Sequence, residues 1–160
     1  METLKSHAAS LKQIANSIEN HECEGRQHLI VITYAAKHRQ RLTPNFYIGE
    51  FMCRDGSTLI LIDKRLAEGL QKIRDKVGKP VIITSAFRTP EHNIAVKGAQ
   101  PTDDSEGSQH LYGKAADISV QGMTGQQLAN IARAVGFTGI GIAGTWCHVD
   151  VRDEKAEWRY

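Results

Sequence analysis

Two short segments constrain the fold of this chain more than any others: AADISV at residues 115–120 and WCHVDV at residues 146–151. In an extended strand, successive side chains point to opposite faces. Ala116, Ile118 and Val120 therefore share one face of the first strand, and Cys147, Val149 and Val151 share one face of the second. These apolar faces require a core. The opposite faces carry Ala115, Asp117 and Ser119 on one strand and Trp146, His148 and Asp150 on the other. If the two strands are neighbours, Asp117 and His148 converge. His110 lies seven residues before Asp117, and Gly113 between them lets the chain turn back.

The flanking segments supply helices for that core. In DKRLAEGLQKIRDKVG, Leu66, Leu70, Ile73 and Val77 recur at helical spacing. Asp63 suits the N-cap and Gly78 the left-handed C-terminal position, and Pro80 then blocks continuation before the strand VIITS. Thr89-Pro90-Glu91 is a hydroxyl cap followed by proline at the first helical position. Thr124 and Gln127 form a capping box for a helix ending near Gly136. GIGI is a further short strand, with Gly139, Gly141 and Gly144 marking turns or close approach. QPTDDSEG reads as an exposed loop whose Asp103, Asp104 and Glu106 are solvated, or a rim that selects substrate. The expectation is an α+β fold, a small antiparallel sheet flanked by helices.

Ahead of this lies a different stretch. Leu4, Ala8, Leu11, Ala15 and Ile18 form one apolar stripe, which predicts a helix over residues 3–19. The β-rich run LIVITY follows, then the basic turn KHRQRLTPN. Its Lys37, His38, Arg39 and Arg41 read as a solvated turn rather than a patch for an anionic polymer. Residues 1–44 are taken as an N-terminal helix and strand extension, and residues 45–160 as the functional domain.

A chain of 160 residues with 41% apolar content suits one domain with a real core. The formal charge of only +2 argues against a nucleic-acid binder. The longest apolar run, LIVITYAA, is too short to span a bilayer. METLKSHAASLKQ lacks the apolar segment of a signal peptide, so synthesis in the cytoplasm is expected. Cys23, Cys53 and Cys147 are odd in number, form no CxxC, and read as packed free thiols.

Two imidazoles and a carboxylate are good zinc ligands, and three protein ligands leave the fourth tetrahedral position open, as in catalytic sites. From spacing alone, a packed or surface histidine remains the competing reading for each imidazole. The segments SAFRTPEHN, SQHLYGKAADI, GFTGIGI and WCHVDVR, in this order, resemble the zinc D-Ala-D-Ala carboxypeptidases and murein endopeptidases that share a fold with Hedgehog signalling domains. An SxHxxGxAxD signature is present as Ser108, His110, Gly113, Ala115 and Asp117. The resemblance runs from Phe46 to Trp158 and includes the FMCRDG turn.

The resemblance implies that His110, Asp117 and His148 bind Zn2+, and that Arg88 holds substrate or stabilises an oxyanion. Ser108 is a candidate substrate-binding residue that also shapes the loop with Gln109. Family members place a catalytic base two or three residues before the last zinc ligand, where this chain has Trp146 and Thr145. Asp150 is the candidate base or orienter, and His92 a lesser candidate base. The implied activity is hydrolysis of an amide bond in peptidoglycan stem or cross-link peptides, in the manner of a phage or prophage lysin that reaches the cell wall after release. The missing carboxylate at Thr145 supports the alternative, a non-catalytic zinc-stabilised wall-binding or phage structural domain.

Overall fold

The computed structural model of the protein describes residues 30–160. The helix expected over residues 3–19, and Cys23, lie outside the described residues.

Among the described residues, local signals start and stop three α-helices. Helix α1 (Lys64–Val77) begins where the Asp63 carboxylate accepts the Arg65 backbone N–H, and it ends at Gly78 with φ 63°. Helix α2 (Pro90–Ala95) is capped by the Thr89 hydroxyl, which accepts the His92 N–H. Helix α3 (Gly125–Val135) has the complete Thr124–Gln127 capping box and stops at Gly136, φ 102°.

The strands form two sheets. Strand β1 (Ile30–Tyr34) pairs antiparallel with β2 (Leu59–Asp63). The main sheet holds β3 (Ile82–Ser85), β4 (Ala115–Ser119), β5 (Gly139–Ile142), β6 (Cys147–Asp150) and β7 (Ala156–Arg159), in the order β3-β4-β6-β5-β7. The fold is α+β as expected, but the sheet is mixed rather than wholly antiparallel, because β7 runs parallel to β5. The reason is geometric. The chain reverses after β6 but skips over β5 to its far edge. A strand antiparallel to β6 on that edge must run parallel to β5.

One face of the main sheet carries the core. Leu66, Leu70 and Ile73 from α1 and Leu128, Ala129 and Ala132 from α3 pack with Ile118, Ile140 and Val149. Each fully buried Leu or Ile contributes roughly 1.5–3 kcal/mol, so this face anchors the sheet. Cys147 and Cys53 are buried free thiols, and burial, followed by the charges of Asp117 and Glu157, pushes the Cys147 thiol up to about 12.

The basic turn is exposed at Lys37, His38, Arg39 and Arg41, with the Arg41 guanidinium 5.0 Å above the Tyr47 ring. The acidic loop is exposed at Asp103 and Asp104. Glu106 is engaged: its carboxylate accepts from Gln109 Nε2 at 3.1 Å, and its carbonyl accepts from the Tyr112 hydroxyl at 2.9 Å. Among the described residues no helix is long and apolar enough to cross a membrane.

Candidate active site

The site grows from the face of the main sheet opposite the core. Cross-strand pairing sets Ser85, Asp117, His148, Gly141 and Trp158 in one row across β3, β4, β6, β5 and β7. Asp117 and His148 are direct partners, so their side chains leave the sheet side by side. His110 arrives from a 3-10 turn, Gln109–Tyr112, that ends at Gly113 with φ 66°. Glycine is required there twice over. The backbone is left-handed, and a Cβ would lie 2.4 Å from the Leu61 carbonyl oxygen. The close approach is used: the Gly113 carbonyl accepts the Asp63 N–H at 2.9 Å, tying the turn to β2.

Hydrogen bonds behind the two rings dictate which nitrogens face the site. His110 Nδ1 lies 2.6 Å from the Ala86 carbonyl oxygen. A carbonyl only accepts, so Nδ1 carries the proton and Nε2 is left with a lone pair. His148 Nε2 lies 3.0 Å from Asp150 Oδ2, which turns Nδ1 toward His110 and Asp117. These two nitrogens face each other at 3.2 Å, and Asp117 Oδ1 sits 2.9 Å from His148 Nδ1 and 3.3 Å from His110 Nε2. Bonds of 2.0–2.1 Å to a tetrahedral zinc separate ligand atoms by about 3.3 Å. The donor set and its spacing therefore fit a zinc-sized cation, and the backing hydrogen bonds are those that orient metal-binding histidines.

The electrostatics agree with a site built for positive charge. Burial and the Asp117 and Asp150 contacts act on His148 in opposite directions. Burial lowers its pKa, but the hydrogen bonds to both carboxylates outweigh this and hold it above the ordinary histidine value. For His110, burial prevails and lowers it. Burial also opposes the Asp117 charge, yet the two histidines beside it hold the carboxyl well below the usual range. Asp117 divides its oxygens: Oδ1 faces the rings, while Oδ2 accepts from Arg88 Nη2 at 2.7 Å. Arg88 is steadied by a 2.9 Å bond from Nε to Ser85 Oγ.

Asp150 is fully buried behind His148 and does not line the cleft. Its carboxylate also accepts from Arg152, at 3.1 Å from the backbone N–H and 2.8 Å from Nε. Burial would raise its pKa, but His148 and Arg152 hold it well below the carboxylate range. Gly139, its cross-strand partner, makes room: a Cβ there would lie 2.0 Å from Asp150 Oδ1. Gly141 likewise vacates space for Trp158, whose ring centroid is 5.1 Å from that of His148.

The three candidate ligands open into a cleft of about 510 Å³, a volume typical of ligand sites. Arg88 and Ser108 line it, as does an aromatic wall of Trp146, Trp158 and Tyr160. Ser108 precedes the 3-10 turn without spending its hydroxyl on a capping bond. Thr145 is exposed, and neither it nor His92 lines the cleft. Sequence reasoning passed over Arg152, Trp158 and Tyr160. Arg152 had a signal, since a residue two beyond Asp150 on a strand shares its face. The aromatic wall depends on parallel pairing of β7, which has no local signal.

The family model described as Peptidase M15 matches residues 44–151. The chain belongs to the peptidase M15 family. No curated protein matches it. Peptidase M15 enzymes are metal-dependent, and His110, Asp117 and His148 are the candidate metal site of this member.

Proposed function

We propose that this M15 peptidase is a zinc enzyme that hydrolyses an amide bond in the stem or cross-link peptides of peptidoglycan, as a D,D-carboxypeptidase or an endopeptidase. One observation carries the reading: three potential ligand atoms, His110 Nε2, His148 Nδ1 and Asp117 Oδ1, converge at 2.9–3.3 Å on the floor of an open cleft.

His110, Asp117 and His148 would hold the ion. When bound there, zinc supplies a Lewis acid that polarises a carbonyl and makes water acidic near neutral pH. The protein's own groups do the rest. Arg88 keeps Asp117 charged and directs Oδ1 toward the rings through its bond to Oδ2, and its remaining N–H groups face a substrate carbonyl or carboxylate. Asp150 serves as the orienter of His148 rather than as the base, since it is buried away from the cleft and shared with Arg152. The Ser108 hydroxyl, uncommitted to its turn, is available to a substrate amide. The aromatic wall limits water on one side of the reacting bond. Such an enzyme, made in the cytoplasm, would act on the wall after release, in the manner of a lysin.

The test is digestion of purified peptidoglycan by the zinc-loaded protein, with products identified by mass spectrometry and His148→Ala alongside. New peptide ends that vanish in the variant establish the activity and name the bond. Zinc bound at one per chain, with wall binding and no new ends, would instead favour the non-catalytic wall-binding module, to which the exposed Thr145 is the pointer.

A further inference from the structure

One residue on the lip of the cleft is held in a costly conformation. Lys97 is the sole non-glycine with positive φ among the described residues, at 56°. It follows the end of α2 in a Schellman arrangement: the Lys97 N–H donates to the Ile94 carbonyl at 3.0 Å and the Gly98 N–H to the Asn93 carbonyl at 2.8 Å. The left-handed position of this motif normally belongs to glycine, because an L side chain there crowds its own carbonyl. Here glycine stands one position later. Gly98 is needed for a different reason, since a Cβ there would lie 2.1 Å from Asn93 Oδ1.

That neighbour makes the lip rigid. Asn93 is fully buried, and its Nδ2 donates to the Ala99 carbonyl at 3.0 Å. The Ala99 carbonyl also accepts the Ser108 N–H at 3.0 Å, which joins the lip to the turn that carries His110. Lys97 is thus presented to the cleft by a fixed backbone.

Its charge is also unspent. Three cationic side chains line the cleft: Arg88, Lys97 and Arg152. Arg88 is bonded to Asp117 and Arg152 to Asp150. Among the described residues the Lys97 ammonium has neither an ion pair nor a hydrogen bond, and its side chain is exposed. Apart from Asp117, no acidic side chain lines the cleft. A peptide that enters meets a wall with an excess of positive charge and one free cation. Strain retained where glycine would serve, at a residue facing a cleft, is the pattern of a functional constraint.

We propose that Lys97 is a specificity-determining residue that anchors a free carboxylate of the peptide substrate at the lip of the cleft. The inference rests on the peptidase reading above and adds the chemistry the enzyme selects. Peptidoglycan stem peptides offer two such groups, the C-terminal carboxylate and the α-carboxylate of D-glutamate. The anchor that Lys97 takes decides which amide is drawn over the metal site.

The experiment uses the full zinc-loaded chain and the stem pentapeptide in three forms: with both carboxylates free, with the C-terminus amidated, and with the D-glutamate α-carboxylate amidated. Binding is read by quenching of Trp146 and Trp158 fluorescence, and cleavage by KM and kcat. Wild type, Lys97→Gln and Lys97→Gly are compared. Both substitutions are expected to weaken binding of the free-acid peptide about fivefold, as for a single solvent-accessible charge contact, and to raise KM with kcat held. The amidated form that already lacks this increment names the carboxylate. Lys97→Gly is further expected to raise the thermal midpoint by relieving the left-handed strain, while Lys97→Gln is not. Equal losses for all three peptides, or no loss for any, overturn the inference. If the wild type binds but cleaves none of the peptides, hydrolysis within the uncross-linked stem is ruled out while the fluorescence titration still decides Lys97. If it binds none, both fall.

Discussion

Replacing Gly139 by alanine tests whether Asp150 governs the metal site through His148. The backbone at Gly139 suits any residue, so the effect is one of space alone. The new methyl would start 2.0 Å from Asp150 Oδ1 and 2.1 Å from Cγ, and real contacts do not fall below 3.0 Å. The carboxylate must retreat by the difference, and its 3.0 Å bond to His148 Nε2 is then stretched or bent. Loss of such a supporting partner lowers metal affinity about 10- to 100-fold, which is roughly 1.4–2.8 kcal/mol. Crowding in a packed interior costs about 1–3 kcal/mol of folding stability besides. The assay is competition for zinc against a chromophoric chelator, run beside urea unfolding of the metal-free protein. A cycle with Asp150→Ala isolates the route. Once the carboxylate is gone, the extra methyl has nothing to push, so Gly139→Ala on that background should cost zinc affinity almost nothing more. Wild-type zinc affinity in Gly139→Ala, or fully additive losses in the double variant, would refute the reasoning.

Other expectations can be checked with the same preparations. Arg88→Lys removes the fork that spans Ser85 and Asp117. It should retain zinc while lowering kcat/KM by about 100-fold or more, measured on the peptide that the wild type cleaves. Gly113→Ala meets both a left-handed backbone and the Leu61 carbonyl at 2.4 Å. It should lose at least about 2 kcal/mol in urea unfolding, since neither the strain nor the clash can relax easily. Zinc binding should weaken as pH falls, because the His148 pKa is raised and the proton competes for Nδ1. Calorimetry in buffers of different ionisation enthalpy should then show proton release that fades at higher pH. In the metal-free protein the same raised value stabilises the fold below the ordinary histidine pKa, and that contribution is lost as pH rises through the raised one.

What could be read in the amino-acid sequence was local. Asp63 with Gly78, Thr89 with Pro90, and Thr124 with Gln127 and Gly136 bound their helices through contacts within a few residues, and all appear in the structure. Alternation along β4 and β6 placed Asp117 and His148 on one face before any partner strand was known, and their register confirms that they meet. The rest depended on distant parts of the chain. Strand β2 is a continuous apolar run, LILID, buried on both faces at Ile60, Leu61 and Ile62, so it has no period to detect. Strand β7 is a four-residue edge strand whose parallel pairing owes nothing to its neighbours in sequence. Asp150 shows the limit most clearly. Its face was legible, but its burial came from Gly139 on another strand and Arg152 beyond its own, and those contacts are what the proposed orienting role rests on.

The row of residues across the sheet has a mechanical consequence. Ser85, Asp117 and His148 belong to three different strands, and His110 to a turn outside the sheet that is joined to the chain after β3 by the Ala86 and Arg88 backbones. An ion gripped by His110, Asp117 and His148 would rivet these separate pieces at one point. Removing it would then loosen the turn at residues 109–112 and the cleft lip ahead of the sheet itself. Sensitivity of that segment to proteolysis would rise and fall with metal occupancy, giving a gauge of the loaded state that needs no substrate.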